Sequence, residues 1–477
     1  MKVLSTRSRA EKSSIDDNKN NQSNGIFALI VISLSAIIIG VGATTILPTD
    51  QAITLGLLVF CAALWATGKV PEFWPAIFLF VFATITNLAP NTVIFSGFES
   101  STYWLLFSGM VFGAAIKHTG LNLRAAGLLG KLVGTTYKGI VTRSALFGLM
   151  LAFLIPSGIG RIVLLIPIVV AIIDQLGYEK DSNGRYGILL AAAFGTFLPT
   201  FSILPANAPN MLLSGMSEAL YSTTFSYWDY LVLHFPVLGL GKVLVTIALI
   251  LFLFPSHDPK NALPERNIAT LSTKEKQLLV VLTLCFLMWL TDGIHGISSG
   301  WVGLAACAIC LFPKADLTSK QCLNKDIQYT TLLFAAGIIG LGAIIAFTGL
   351  GESLVNLLTQ VAPFSDASLI YNLGLVTGIS TIVGIVTNLA GVPAIITPLA
   401  EHLADITGLS TEAILMSEVM AFSSVLLPYQ APPLITAVAL GKLPIGVVTK
   451  LCLATFLITV LILLPINFVW WDVLGII

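Results

Sequence analysis

The sequence predicts an all-α polytopic membrane protein with two inverted repeats, about 11 spanning helices and two re-entrant hairpins. Three observations predict this fold class: a very apolar composition, positive charges confined to one side of a series of apolar segments, and a set of features that occurs twice in the same order. Hydrophobic residues make up 56% of the 477 positions and charged residues 10%. Because a soluble domain must cover its surface with charge, lipid is the expected solvent of this chain.

The polar N-terminal stretch, residues 1–25, mixes basic, acidic and amide side chains and predicts a disordered cytosolic tail. The formal net charge of the chain is zero, so nucleic acid is not an expected partner. The six cysteines lie mostly in apolar segments, which predicts no disulfide framework. The five histidines show no metal-ligand spacing, and we expect neither a metal site nor a cofactor.

A series of apolar segments approaches the roughly 20 residues that a spanning helix needs. These candidate spans are 26–46, 51–68, 71–88, 103–117, 186–213, 228–254, 277–292, 297–313, 329–349, 412–440 and 446–472. Two further stretches, 143–174 and 366–404, carry helix-breaking centres. We interpret both as re-entrant hairpins, because non-helical backbone at membrane depth needs protein or a water-filled cavity around it. A kinked spanning helix followed by a loop is the alternative.

The distribution of lysine and arginine favours the hairpins. If both hairpins return to the side from which they start, the basic loops all fall on the side of the N-terminus. The other side then carries no Lys or Arg in any of its segments, 89–102, 214–227, 293–296, 350–365 and 405–411. A single crossing at either stretch would scatter the positive charges over both sides. The sequence therefore predicts a multi-pass protein of the cell (inner) membrane with a cytoplasmic N-terminus and an outside C-terminus.

A series that runs from Leu-Leu-Phe to Thr-Gly-Leu occurs once in each half of the chain. It extends from Leu105 to Leu121 and again from Leu332 to Leu350. Each copy is followed by a hairpin and then by a span that prolines break, at 186–213 and at 412–440. The order of these features indicates a repeat. The predicted organisation is a first repeat at 26–256, a cytosolic linker at 257–276 and a second repeat at 277–477.

In the predicted topology the first hairpin opens from the cytoplasm and the second from outside, so the two repeats are inverted. Secondary transporters with inverted repeats place the binding site near the membrane midplane, between broken helices. The N-terminus of a half-helix carries a positive dipole end that suits an anion, and unwound carbonyl groups suit a coupling cation. The pattern therefore predicts a carrier of small anions.

Together these features resemble the divalent anion:sodium symporter (DASS) family of anion permeases, and the likeness runs from about Phe98 to the C-terminus. The resemblance implies a secondary active transporter that moves dicarboxylate, tricarboxylate or sulfate-like anions by alternating access. Coupling would come from Na+ in a symporter, or from a second anion in an exchanger. The resemblance also implies a homodimer in the lipid bilayer.

The family carries Ser-Asn-Thr at each hairpin tip, and this chain departs from that pattern. The first tip becomes Ser157-Gly158-Ile159, and Thr387-Asn388 or Asn388-Leu389 occupies the second. The broken spans keep the prolines of the family pattern and lack its threonines. The predicted substrate-binding residues are Ser157, Gly158, Arg161, Asn207, Pro209, Asn210, Thr387, Asn388, Pro432 and Pro433. The predicted cation-coupling residues are Ser157, Ala206, Asn388 and Glu418.

Three ionisable residues lie at membrane depth: Arg161, Lys242 and Glu418. A guanidinium at that depth is costly unless it is paired or hydrated, so we expect Arg161 to receive the anion or to replace a sodium ion. A salt bridge to Glu418 is the alternative. Lys242 is expected to be structural, either snorkelling or facing the interior. Glu418 belongs either to the substrate path or proton coupling, or to an internal ion pair.

These few ionisable groups do not form the facing acid-base or metal-ligand set that an intramembrane enzyme needs, so we predict no enzymatic activity. An anion channel is a further alternative, since a pore also uses basic residues and helix ends. Unlabelled substrate on the far side accelerates a carrier and does not accelerate an open pore.

Overall fold

Every regular element in the described part of the chain is a helix. The computed structural model describes residues 29–132, 134–155, 157–261, 270–360, 362–364 and 368–477. The predicted tail at 1–25, and part of the predicted linker at 257–276, lie outside the described residues. Within them, seven helices are long and apolar enough to cross a membrane by length and composition. The prediction of an all-α polytopic protein is confirmed.

The first half of the chain contains a pair of hairpin helices and a broken helix. Its main helices are α1 (Leu29–Ala43), α2 (Thr49–Thr67), α3 (Phe73–Ile85), α4 (Ser101–Thr119), α5 (Leu121–Leu132), α6 (Tyr137–Leu154), α7 (Gly158–Leu176), α8 (Asn183–Phe197), α9 (Ala208–Tyr221) and α10 (Tyr227–Leu253). We call α6 and α7 the first hairpin, and Ile155 with Ser157 the first tip. The first break, residues 198–207, separates α8 from α9 by two short 3-10 turns. A π-helical stretch occupies 235–241 of α10.

The second half repeats this order. Its main helices are α11 (Thr273–Leu290), α12 (Ser299–Leu311), α13 (Tyr329–Thr348), α14 (Leu350–Thr359), α15 (Leu369–Val386), α16 (Gly391–Ile396), α17 (Ala400–Thr407), α18 (Thr411–Ser423), α19 (Pro432–Gly441) and α20 (Ile445–Val473). The second hairpin is α15 to α17, and its tip is 387–390. The second break, residues 424–431, separates α18 from α19. A π-helical stretch occupies 459–463 of α20.

Polar capping residues carry helices beyond the apolar segments that the sequence predicts. Thr136 caps the N-terminus of α6 and Ser182 caps that of α8, each by accepting a backbone N–H three residues further on. The first hairpin therefore spans 137–176 rather than 143–174, and the first broken helix starts at Asn183. Apolar periodicity cannot place these ends, because the capping residues are polar.

Both ends of the first hairpin lie at one face of the protein. At its start the Tyr137 hydroxyl donates to the Phe254 carbonyl oxygen (2.6 Å). At its end the Asn261 N–H donates to the Leu176 carbonyl oxygen (3.3 Å). We call this face, at the Leu253 end of α10, the basic face. It also carries the residues around 117–124, 270–276 and 312–326.

The ends of the second hairpin lie at the opposite face. The Asn372 amide donates to the Thr407 carbonyl oxygen (2.9 Å), which joins the start of α15 to the end of α17. Nearby, Glu412 at the start of α18 lines a surface pocket together with Asp229 at the start of α10. Because α10 runs from this pocket to the basic face, the two hairpins open at different faces.

The first arm of the first hairpin packs closely along α8. A Cβ built on Gly148 would lie 2.5 Å from the Thr196 hydroxyl oxygen, and one built on Gly195 would lie 2.5 Å from the Ala145 Cα. The residue numbers of the two contacting pairs rise together, so α6 and α8 run parallel. The intervening α7 therefore runs back to the basic face before α8 begins.

Ion pairs at the basic face fasten α5 to α11. Arg124 donates through Nε and Nη2 to the two carboxylate oxygens of Glu275, at 2.8 and 3.0 Å. Glu275 also accepts the Ser272 N–H in a capping box at the start of α11, before its apolar part. The Arg124 guanidinium lowers the pKa of the Glu275 carboxyl to about 2. Beside them Lys274 pairs with Asp316.

Candidate functional site

The Arg161 guanidinium lies fully buried between the first tip and the first break. It donates to the carbonyl oxygen of Ile155 at the tip and to that of Ala206 in the break, the latter at 3.0 Å. Its Nε has no hydrogen-bond partner in the described structure. No described carboxylate lies within ion-pair distance of it, so the alternative salt bridge to Glu418 does not form.

The first tip presents the N-terminus of α7. The Ser157 hydroxyl accepts the Gly160 N–H (3.1 Å), whereas the N–H groups of Gly158 and Ile159 have no acceptor inside the helix. A Cβ on Gly158 would lie 3.3 Å from the Pro433 side chain, so the tip also touches the second broken helix. The structure thus brings together five of the predicted residues, Ser157, Gly158, Arg161, Ala206 and Pro433.

Asn210 closes the first break from within α9. It is fully buried, and its amide nitrogen donates to the carbonyl oxygens of Thr200 (2.8 Å) and Ile203 (3.0 Å). Its Oδ1, and the amide nitrogen of the half-buried Asn207, have no hydrogen-bond partner among the described residues. Polar atoms therefore remain unsatisfied at the end of the break that lies next to Arg161.

Prolines open the second half of each broken helix. Pro209 is the second residue of α9, and Pro432 with Pro433 are the first two residues of α19. Since proline has no N–H, α19 offers no donor at its first two positions. The donors that suit an anion are therefore those of α7 and α9 rather than those of α19.

The second tip is shaped by its own side chains. The Thr387 hydroxyl donates to the Val383 carbonyl oxygen (2.7 Å), and the Asn388 Oδ1 accepts the Gly391 N–H (3.0 Å) at the start of α16. Both residues line an apolar cleft against α2 and α13. No hydrogen bond between described residues joins this tip to the first tip, so the predicted site residues fall into two clusters.

Gln430 closes the second break as Asn210 closes the first. It is fully buried, its Nε2 donates to the Gly384 carbonyl oxygen (2.9 Å), and its Oε1 accepts the N–H groups of Leu426 (2.9 Å) and Leu427 (2.8 Å). Gln430 was not among the predicted residues, because the family pattern draws attention to Pro432 and Pro433 and to the missing threonine before them, whose place Ala431 takes. An amide between two prolines in an apolar span was the available signal.

Glu418 lies fully buried in α18, apart from the first tip. The Thr397 hydroxyl is 3.0 and 3.1 Å from its two carboxylate oxygens, and the Thr397 carbonyl oxygen accepts the Tyr221 hydroxyl (2.7 Å). No described basic residue pairs with Glu418. A full negative charge there would have one hydroxyl donor to compensate it.

Lys242 faces the interior rather than snorkelling. It is fully buried, and its Nζ donates to the carbonyl oxygen (2.9 Å) and the hydroxyl oxygen (3.1 Å) of Ser423. Ser423 is the last residue of α18, so the ammonium lies where the second break begins. The sequence did not reveal this contact.

The chain is similar to known membrane transporters. Residues 62–427 match the model of the citrate transporter family (CitMHS). The chain belongs to the citrate transporter family. An L-tartrate/succinate antiporter of Escherichia coli is 26% identical over 56% of this chain and 58% of that protein. The inner membrane protein YbhI of Escherichia coli is 27% identical over 54% of this chain and 55% of its own length.

A membrane protein of Cupriavidus necator is 23% identical over 63% of each chain, so the match spans less than two thirds of these relatives. Among solved structures, the YdaH transporter of Alcanivorax borkumensis shares the fold. Its TM-score is 0.55 at 15% identity, over 90% of this chain and 99% of that one. This citrate transporter family member therefore has several helices that are long and apolar enough to cross a membrane, as a multi-pass protein does. Its membership of the narrower DASS family stays a prediction.

Proposed function

We propose that this citrate transporter family member exchanges small di- or tricarboxylate anions by alternating access and depends only weakly on sodium. The observation that carries the proposal is the buried Arg161 guanidinium, which is held by two backbone carbonyls and has no acidic partner among the described residues. The relative named as an L-tartrate/succinate antiporter supports both the anion class and exchange.

The anion site that we propose lies at the N-terminus of α7. The N–H groups of Gly158 and Ile159 are free of intrahelical acceptors, and the helix dipole favours a negative charge there. Arg161 lies one turn further into the same helix and supplies a permanent positive charge next to that end. The unpartnered amide of Asn207 adds a donor from the first break.

The contacts of Arg161 also support weak coupling to sodium. A sodium site at the first break would need oxygen ligands from the tip and from the unwound backbone. The Ala206 carbonyl oxygen already accepts the guanidinium, and Gly158 with Ile159 supply no side-chain oxygen. The Arg161 side chain would thus supply the positive charge that a bound sodium ion would otherwise supply at the first break.

Glu418 is the residue that we propose for proton coupling, should net anion movement occur without exchange. It is buried in the break-bearing helix α18, and its carboxylate contacts the second hairpin through Thr397. A change in its protonation would change the hydrogen bond to the Thr397 hydroxyl, and hence the position of the second hairpin against α18.

Re-entrant hairpins and inverted repeats belong to the same proposal. In each hairpin the first helix packs on the first half of the broken helix that follows it in the chain: α6 packs on α8, and α15 packs on α18. The helix after each tip packs on the second half of the broken helix from the other repeat: α7 packs on α19, and α16 packs on α9. The π-helical stretches begin 26 residues after Pro209 and 26 after Pro433. These correspondences, with hairpins that open at different faces, support an inversion.

The orientation and the assembly are proposed from the sequence. We place the basic face in the cytoplasm of a cell (inner) membrane, following the rule for positive charges. We place two chains in a homodimer, following the family resemblance. Mass measurement in native-like lipid tests the assembly, and a fully active monomer would contradict it.

Uptake by the purified full chain in liposomes tests the proposed function. Labelled succinate, tartrate or citrate should enter faster when the same unlabelled anion is inside, and replacement of sodium by choline should change the rate little. Arg161→Ala should abolish uptake and Arg161→Lys should weaken it, because lysine keeps the charge and loses the planar fork. Arg143→Ala, at the exposed basic face, is the matched control.

Three outcomes would contradict the proposal. Uptake that rises steeply with sodium would show that a sodium ion, and not Arg161, supplies the positive charge at the first break. Unchanged anion affinity in Arg161→Ala would show that the guanidinium is not part of the binding site. Uptake that ignores the internal anion would indicate a pore rather than an exchanger.

A further inference from the structure

We infer that Lys242 is the built-in cation of the second break, as Arg161 is of the first, so that removing it creates a site for an external monovalent cation. The inference rests on the proposed function only where anion exchange is the readout. It concerns a positioning residue, since Lys242 contacts the break and not the first tip.

The ammonium lies at a place that attracts cations. Ser423 ends α18, and the last carbonyl groups of a helix form the negative end of its dipole. Lys242 Nζ binds the Ser423 carbonyl oxygen at 2.9 Å and its hydroxyl oxygen at 3.1 Å. Carbonyl and hydroxyl oxygens are also the ligands that small hard cations prefer. No described carboxylate lies within ion-pair distance of Lys242.

The fold buries this lysine completely. The π-helical stretch 235–241 directly precedes Lys242 and packs against the first break, where a Cβ on Gly239 would lie 2.4 Å from the Ser202 hydroxyl oxygen. π-helical turns occur frequently at functional sites. Helix α10 thus touches the first break at Gly239 and the second break at Lys242. A buried ammonium without an acidic partner is costly and needs a reason beyond packing.

The same two kinds of side chain, an amide and a cation, contact both breaks. In the first, the Asn210 amide and the Arg161 guanidinium bind unwound carbonyl groups. In the second, the Gln430 amide oxygen accepts the N–H groups of Leu426 and Leu427, and the Lys242 ammonium binds the Ser423 carbonyl oxygen where the break begins. Arg161 belongs to helix α7 of the first hairpin and Lys242 belongs to α10, so the two breaks resemble each other in the chemistry of their contacts and not in the positions that supply them. Together the two cations supply two positive charges to a core that binds an anion.

Chemical rescue tests the inference. Lys242→Ala removes three carbons and the ammonium, and propylammonium has the same size and charge as the removed group. Lys242→Met removes the charge but fills the space. Without added amine, exchange should fall roughly tenfold or more in both variants, because a buried bond to a charged group is lost. Propylammonium should restore exchange in Lys242→Ala with a saturable concentration dependence, and should not restore it in Lys242→Met.

Sodium and choline give the second comparison. The small cavity of Lys242→Ala should accept sodium and exclude choline, so this variant should depend on sodium more steeply than the wild type does. Lys450→Ala, an exposed lysine over the Phe254 ring at the basic face, is the control that should respond to none of these cations. Wild-type exchange in Lys242→Met would overturn the inference. So would a Lys242→Ala variant that neither propylammonium nor sodium restores.

Thermal unfolding separates this inference from the proposed function. If the wild type moves none of the three anions, the proposed function fails by itself. The midpoint of Lys242→Ala should still rise with propylammonium, while those of wild type and Lys242→Met stay fixed. No difference among the three proteins would overturn the role of Lys242, whatever the transport result.

Discussion

Gly148→Ala should destabilise the protein through the contact between α6 and α8. The new Cβ would lie 2.5 Å from the Thr196 hydroxyl oxygen, 2.6 Å from the Thr196 nitrogen and 2.8 Å from the Gly195 carbonyl carbon. Two of these atoms are backbone, so no side-chain rotation relieves the clash. One helix must move away from the other by the better part of an ångström.

The magnitude follows from two opposing effects. Overpacking of a tight contact costs about 1–3 kcal/mol. Alanine in place of glycine within a helix returns about 0.5–1 kcal/mol. The net expectation is a loss of about 1–2 kcal/mol in the free energy of unfolding. Because α6 carries the first tip, the displacement should also move Arg161 and lower the affinity for the anion.

The assay is thermal unfolding of the detergent-purified protein, followed by tryptophan fluorescence, with uptake measured on the same preparation. Gly378→Ala is the matched control: Gly378 lies in α15, the first arm of the other hairpin, and a Cβ there meets nothing within 4 Å. The control should be neutral or slightly stabilised. If Gly148→Ala unfolds at the control temperature or above it, the close parallel packing of α6 on α8 is refuted.

Two other perturbations address the basic face and the topology. Glu275→Gln should lower the free energy of unfolding by about 1 kcal/mol, after allowance for solvent around the Arg124 pair, and should lower the unfolding midpoint with it. Glu412→Gln, at an exposed position, should change neither. The pKa of the Glu275 carboxyl is lowered to about 2, so the ion pair should stabilise the wild type above about pH 4.5 and should stop doing so as the pH falls towards 2. If the unfolding midpoints of wild type and Glu275→Gln differ by the same amount at low pH, this assignment is contradicted. Single cysteines at Ser410 and Glu179 should react with an impermeant thiol reagent from opposite sides of the membrane, and labelling from one side only would contradict the two faces.

The spans could be predicted because lipid imposes a length and a composition on them. Observed helices such as α2, α10 and α13 begin and end within a few residues of the apolar segments. The hairpin stretches were recognisable because glycine and proline interrupt otherwise apolar sequence. Helix ends at Thr136 and Ser182 were not predictable from hydrophobicity, since capping depends on a hydrogen bond to the backbone.

The candidate site could be predicted only where its signal is local. A charge inside an apolar stretch identified Arg161, and the prolines identified both breaks. The contact from Lys242 to Ser423 joins residues 181 apart along the chain, and that from Gln430 to Gly384 joins residues 46 apart. Such contacts depend on how helices turn about their axes in the packed protein. The π-helical stretch before Lys242, which sets that rotation, has no distinct sequence pattern.

The charge difference between the two faces has a kinetic consequence. In the described part of the chain, the opposite face carries acidic side chains and neither lysine nor arginine; the acidic residues are Asp50, Glu99, Glu218, Asp229, Asp292, Glu352, Glu401, Asp405, Glu412 and Asp472. A surface of one sign lowers the local concentration of ions of that sign, within a Debye length of about 8 Å at physiological salt. A dianion therefore meets a depleted layer at this face and an enriched one at the basic face. The anion concentration for half-saturation should thus be higher when the anion is supplied at the acidic surface than when it is supplied at the basic face. Added salt should make the two half-saturation concentrations more nearly equal.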